Sequence, residues 1–250
     1  MSDNKIMIKF YAFIFIVCVF LTYIVDLNEQ IHFVKLDSSF ISNSFCFAIL
    51  SGILTGVIVA LLIEIRQYLL HKRQARNVLY VLTLNLYGTI YQQKAWFTYY
   101  INHRDSVIES NIGHNYIQQV ILTYCAQLKT VDYNTFSKRD KLKAPCDLFY
   151  QQVCEIEGLV RNFLELQIIY NHVKISFLKN GDISGGVTTS SLEMCQVLQE
   201  KKKELENCLV LVENFGRVFE EIDKKNFSWT KEKKKIDEIA KKIEEDVNGI

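Results

Sequence analysis

The chain has 250 residues, of which 49% are hydrophobic and 23% charged, and its formal net charge is +1. This balance excludes a global electrostatic attraction for nucleic acid, so any basic effect must be local. The number of cysteines, seven, is odd, and the sequence contains no CxxC motif. These two observations exclude a regular disulfide framework and a zinc ribbon. We expect reduced thiols, as in a cytosolic domain. A single proline favours long uninterrupted helices.

The first predicted element is an apolar helix near the N-terminus. Residues 10–25 carry no charge and are bounded by Lys9 and Asp26. A membrane span needs about 20 residues. The run reaches that length, over about 7–25, if Lys9 extends its ammonium group to the lipid headgroups. The alternative is a cleaved signal peptide, but no small-residue cleavage site of the A-x-A kind follows the run.

The second predicted element is a longer apolar helix with two different sides. Residues 40–63 are uncharged and predict a span over about 40–64. Small residues recur at every fourth position, which allows two helix backbones to approach closely in lipid. The predicted packing face consists of Ser44, Ala48, Ser51, Gly52, Thr55, Gly56 and Ala60. Its partner is either the first span of the same chain or a second copy, and bulky residues such as Val57 are predicted to face lipid.

Charge predicts the orientation of the two spans. The basic residues at the membrane boundary are Lys9, Arg66, Lys72, Arg73 and Arg76, whereas residues 26–39 between the spans carry three acidic residues against one lysine. Basic flanks stay in the cytoplasm, so both termini are predicted inside a two-pass protein of the inner membrane. A further uncharged stretch, 77–93, offers a rival third span. It is short and polar, which favours a buried core helix.

The rest of the chain is predicted to be helical. The second span should continue as one helix to about residue 103, because no break signal interrupts it. Apolar residues then recur at steps of three and four over 117–131 and 149–177, with Pro145 in a first helical turn, and a further core face over 198–222 is interrupted by lysines at 201–203. Ser190 and Glu193 resemble a capping box and predict the start of a helix after a glycine-rich connector at 180–189. Residues 229–247 carry a narrow apolar stripe, typical of a coiled-coil seam or of a helix lying on the bundle.

The predicted fold class is therefore all-α. A two-helix transmembrane hairpin is followed by a cytosolic antiparallel bundle of long helices. The predicted domains are 1–65 for the hairpin, 66–227 for the bundle and 228–250 for a charged amphipathic C-terminal helix.

Motifs for known chemistry are missing from the sequence. It contains no HExxH, nucleophile elbow or Walker motif and no histidine pair at metal-ligand spacing, so we expect no metal, no cofactor and no catalytic residue. Arg66 and His71 fit R-x4-H, a spacing that resembles HEPN ribonucleases. That resemblance implies metal-free RNA cleavage at a dimer interface, with Arg66 stabilising phosphate charge and His71 moving a proton. Basic residues are also expected at a membrane boundary.

The layout of the chain resembles small membrane effectors of bacterial phage-defence systems. The features that carry the resemblance are the span with Gly52 and Gly56, the boundary RQYLLHKRQAR at 66–76 and the long helices beyond. It implies a homo-oligomer that permeabilises the inner membrane when its bundle senses a cytosolic protein or nucleoprotein. Sequence-specific binding of nucleic acid is not expected. Two alternatives are a passive anchor for a helical interaction module and a membrane-bound ribonuclease.

Overall fold

The computed structural model describes residues 2–31, 43–102, 111–180 and 186–248. Within these ranges the chain forms α-helices and one short 3-10 helix, Tyr133–Thr135, and no strand. The α-helices are α1 (Ser2–Ile31), α2 (Asn43–Asn102), α3 (Asn111–Thr130), α4 (Lys143–Asn180), α5 (Gly186–Ile222) and α6 (Trp229–Asn248). The predicted all-α class is confirmed, as is the continuation of the second span into one long helix.

The chain divides into two compact units within α2. The N-terminal unit covers Met1–Ala75 and the C-terminal unit covers Arg76–Ile250. The division lies in the basic segment 66–76 that follows the second apolar run. The boundary predicted from charge, after residue 65, lies ten residues before this division.

Two helices of the N-terminal unit are long and apolar enough to cross a membrane. In α1 the candidate span is Ile6–Ile24, and in α2 the candidate segment is Ala48–Tyr99, which begins in this unit and continues into the C-terminal one. Large apolar side chains point away from the chain along both helices, with Phe13 at 65% and Leu62 at 61% exposure. Hydrocarbon is a suitable environment for such surfaces, whereas water is not.

The C-terminal unit is a helical bundle with an apolar core. Side chains from all of its helices are fully buried, among them Leu79, Leu86, Ile90, Ile121, Leu128, Phe149, Ile156, Val212, Phe219 and Trp229. Several of these residues belong to the uncharged stretch 77–93. This stretch is therefore a core helix of the bundle, as its polar residues predicted, because its apolar side is occupied by protein.

Contacts along α2 define the direction of its neighbours. Lys94 pairs with Glu206 at 3.3 Å and Arg76 with Asp223 at 4.0 Å, so α5 runs antiparallel to α2. Phe97 packs on Phe163 of α4 with ring centroids 4.8 Å apart. At the other end, Arg76 and Cys146 are close enough to interact electrostatically, so α4 runs parallel to α2.

The loops at one end of the bundle follow from these directions. The connection 131–142 leads from α3 into α4, and the connection 223–228 leads from α5 into α6. Both therefore lie at the end where the unit begins, which we call the Arg76 end.

Of two predictions about where helices begin, one is confirmed and one is wrong. Pro145 lies in the first turn of α4, as predicted. The capping box at Ser190 and Glu193 is wrong as a helix start, because α5 already begins at Gly186. Each residue added to an existing helix gains a hydrogen bond, and a serine inside a helix costs only a few tenths of a kcal/mol, so the helix extends through Ser190. Part of the predicted connector, 181–185, lies outside the described residues.

Candidate functional site

The small-residue face of α2 is uncovered within the described part of the chain. Ala48, Ser51, Gly52, Thr55 and Gly56 are exposed, and Ala60 is half-buried. A Cβ atom added at Gly52 or Gly56 would have no neighbouring atom within 4 Å. The side chain of Ser44, the first residue of the predicted face, lies outside the described ones. The alternative that this face packs on the chain's own first span is therefore not what the structure contains.

The opposite, bulky side of α2 is the covered one. Val57 is only 9% exposed, and Leu50, Leu54 and Leu61, at steps of three and four around it, are half-buried. The prediction that Val57 faces lipid is wrong for this chain. These four side chains offer more area for dispersion contacts than the small residues do, so the line of the helix that carries them is the packed one.

The predicted boundary cations fall into two groups. Lys9, Arg66 and Arg73 are exposed and Lys72 is half-buried, as expected for residues near headgroups. Arg76 instead begins the C-terminal unit and forms an ion pair with Asp223 at 4.0 Å.

The Arg66 and His71 pair of the R-x4-H pattern lies on one exposed stretch of α2. Both side chains are exposed, and five helical residues place them about 140° apart around the helix axis. One copy of the chain therefore does not bring them to a common phosphate. Joint action would need a second copy, which leaves ribonuclease activity an untested prediction.

An aromatic cluster holds the beginning of α6 against α2 and α5. Trp229 is fully buried, and its ring lies 6.3 Å from that of Tyr80 and 5.7 Å from that of Tyr87. The Trp229 ring lies directly on the backbone of Gly216, where an added Cβ would come within 2.3 Å of ring atoms. Sequence reasoning placed Trp229 only at the start of an amphipathic helix and missed this role. The sequence offers one indication of this role: Trp229 lies between the aromatic Phe227 and the charged segment of α6.

Polar contacts hold the middle of α6 against the same two helices, α2 and α5. Tyr87 donates a hydrogen bond to Asp237 Oδ1 at 3.0 Å, and Lys233 pairs with Asp237 at 2.6 Å and with Glu213 at 3.7 Å. Burial, followed by the charge of Asp237, raises the pKa of Tyr87 well above its usual value. Tyr87 is thus a neutral donor at physiological pH. The sequence predicts either a coiled-coil seam or a helix lying on the bundle for α6. These contacts show a helix that lies on the bundle.

Three thiols in the bundle are buried and protonated. Burial raises the pKa of Cys125 and of Cys146 to about 12 and that of Cys208 to about 11. A protonated buried thiol is a poor nucleophile and a poor metal ligand. In the part of the chain that the structure describes, no group of three potential metal-ligating side chains comes together.

A groove of about 230 Å³ lies between α2, α3 and the second half of α6. Its described lining residues are Leu84, Asn85, Gly88, Thr89, Gln92, Tyr124, Ile236, Ile239 and Ala240. Tyr124 is the one ionisable residue among them, so this lining offers no acid–base pair for catalysis.

Two features distinguish the described residues: the small-residue face of α2 is uncovered, and the last helix of the bundle, α6, is attached to α2. Neither feature brings reactive groups together within the described residues. No protein-family model, curated protein or solved structure matches the chain.

Proposed function

We propose that this chain is a two-span membrane protein that self-associates through the small-residue face of α2. The observation that carries the proposal is the exposure of Ser51, Gly52, Thr55 and Gly56, together with the open space around both glycines. Two helices that each present such a face gain close backbone contact over several turns. Lipid chains and bulky helices cannot supply that contact equally well.

The geometry of the face fits a parallel contact between two copies. A ridge of small residues at i and i+4 favours a right-handed crossing near −40°. Thr55 Oγ1 donates to the Ser51 carbonyl within its own helix at 2.8 Å, so its proton is satisfied before any partner arrives. The hydroxyl oxygen remains able to accept a bond from a neighbouring helix, an interaction worth about 0.6–2 kcal/mol in membranes.

Permeabilisation of the inner membrane is the activity we attach to this assembly. In the proposal the cytosolic bundle senses a protein or nucleoprotein partner and the spans then rearrange. Ser44, Ser51 and Thr55 supply a narrow polar path, and Gly52 and Gly56 allow the helices to close. The resemblance in layout to phage-defence effectors supports this part. The continuity of α2, from the span into the bundle core, supplies the physical connection.

The test replaces both glycines by leucine. Gly52→Leu with Gly56→Leu fills the face on both copies, so we expect a smaller particle mass in detergent and loss of dye leakage from liposomes. Ile53→Leu with Ile58→Leu changes two exposed apolar positions of the same helix and is the matched control. Unchanged mass and unchanged leakage in the glycine variant would refute the proposal.

Two other outcomes would redirect the interpretation. Full biological activity after both spans are exchanged for unrelated ones would favour a passive anchor. Loss of RNA cleavage in His71→Ala, with assembly intact, would favour the ribonuclease.

A further inference from the structure

Basic side chains are concentrated in the two loops at the Arg76 end of the bundle. The loop 131–142 carries Lys138, Arg139 and Lys141, and the loop 223–228 carries Lys224 and Lys225. All five are exposed. Among the described residues, none of them has a carboxylate oxygen within 4 Å, although Lys224 interacts electrostatically with Glu220 over a longer distance.

The acidic side chains of the same loops are engaged in shaping the turns. Asp132 accepts from the backbone N–H of Asn134 at 3.0 Å, and Asp140 accepts from that of Leu142 at 3.1 Å. Asp223 pairs with Arg76 and accepts from Asn226 at 2.8 Å. Hydrogen bonding leaves these carboxylates charged, so the two loops carry five exposed cations against three carboxylates, one of which is paired with Arg76.

Buried aromatic residues hold both loops in place. Phe136 is 1% exposed and Phe227 is 4% exposed, so each loop is fixed to the core by a phenyl ring. The cations are therefore presented on ordered loops. These rings are also unavailable for stacking with nucleic-acid bases, a contact that proteins binding single strands generally use.

The chain connection limits how far this end can be from the membrane. Ten helical residues separate Arg66, at the predicted bilayer boundary, from Arg76, the first residue of the C-terminal unit, which corresponds to about 15 Å. The limit applies to Arg76 itself and follows from the continuous helix α2.

From this arrangement we infer that the Arg76 end of the bundle binds the anionic phospholipid headgroups of the bilayer that holds its own spans. Clusters of four to eight Lys and Arg near a span are the usual recognition element for anionic lipid surfaces. The ligand chemistry is the headgroup phosphate, bound by ammonium and guanidinium groups. The inference rests on the proposed membrane insertion but not on self-association.

The test measures the chemical labelling of individual lysines in the full-length protein. The protein is reconstituted into nanodiscs of phosphatidylcholine alone, or with about a third of phosphatidylglycerol, and modified briefly with an amine-reactive ester. We expect labelling of Lys138, Lys141, Lys224 and Lys225 to slow at least about threefold in the anionic discs. Lys241 and Lys242, exposed on α6, serve as internal references.

A charge variant and its matched control extend the test. Glutamine at Lys138, Arg139, Lys141, Lys224 and Lys225 removes the cluster. Glutamine at Lys203, Lys234, Lys235, Lys241 and Lys242 removes the same charge elsewhere. Slowed exchange of the two loop backbones in anionic discs, measured by hydrogen–deuterium exchange, should disappear in the first variant only. High salt should abolish it as well, because exposed charges are screened.

Three outcomes would overturn the inference. They are equal labelling in both lipids, equal behaviour of the two variants, and protection that requires added RNA instead of anionic lipid. A chain that inserts into the discs without lysine protection refutes this inference alone. A chain that fails to enter any bilayer refutes the proposed function.

Discussion

At the scale of single residues, the most demanding contact is the one between Trp229 and Gly216. The indole ring occupies the space in which any other residue would carry its Cβ. Gly216 lies within α5, where glycine costs about 1 kcal/mol relative to alanine, so its presence needs a compensating contact. The buried ring supplies that contact.

Replacing Gly216 by alanine should destabilise the bundle. The new methyl group would overlap with Trp229, and forcing the ring aside should lower the free energy of unfolding by about 1–3 kcal/mol. Chemical denaturation followed by circular dichroism in detergent measures the change. Gly158→Ala in α4 is the matched control. Open space surrounds Gly158, so its alanine should be neutral or stabilise by up to about 1 kcal/mol. Equal stability of the two variants would contradict the packing of Trp229.

At the scale of elements, α2 has one packed side along most of its length. The half-buried Leu50, Leu54 and Leu61 lie on the same side as the buried Leu79 and Leu86, within about 40° on a regular helix. This phase was available in the sequence, because a step of about 18 residues, or five helical turns, leads back from Leu79 to Leu61 and from Leu86 through Tyr68 to Leu50. The small residues lie on the other side of the helix. Their spacing predicts a helix contact but does not identify the helix that supplies it.

The attachment of α6 to α2 should depend on the phenol of Tyr87. Tyr87→Phe removes the hydrogen bond to Asp237, whose carboxylate remains paired with Lys233. We expect the free energy that holds α6 on α2 to fall by about 1–2 kcal/mol. We therefore expect amide hydrogen exchange in α6 to accelerate roughly tenfold, with α3 unaffected.

The matched control for this substitution is Tyr116→Phe. Tyr116 is exposed on α3, so loss of its hydroxyl should leave exchange in α6 unchanged. Identical exchange of α6 in both phenylalanine variants would show that the Tyr87 contact contributes nothing to docking.

At the scale of the whole molecule, the chain combines two long apolar helices with a bundle that buries its own core. The class and the long helices could be predicted because uncharged length and apolar periodicity are local properties of a sequence. The aromatic cluster around Trp229 and the loops at the Arg76 end could not be. They depend on which distant segments meet, and periodicity carries no information about that.

The predicted topology can be checked with thiol labelling. A cysteine introduced at Ser38, between the two spans, should react with an impermeant maleimide on intact spheroplasts, because this segment is predicted outside. Cys154, which is exposed on α4, should react only after the membrane is permeabilised. Labelling of Cys154 in intact spheroplasts would reverse the predicted orientation.

The open space beside Gly52 and Gly56 has a consequence for genetics. A single copy folds without using that surface, so substitutions there leave the monomer as stable and as abundant as before. Any phenotype they produce must then arise between molecules. A dominant-negative allele at these two positions, expressed beside the wild-type gene, would reveal how many intact subunits a working complex needs.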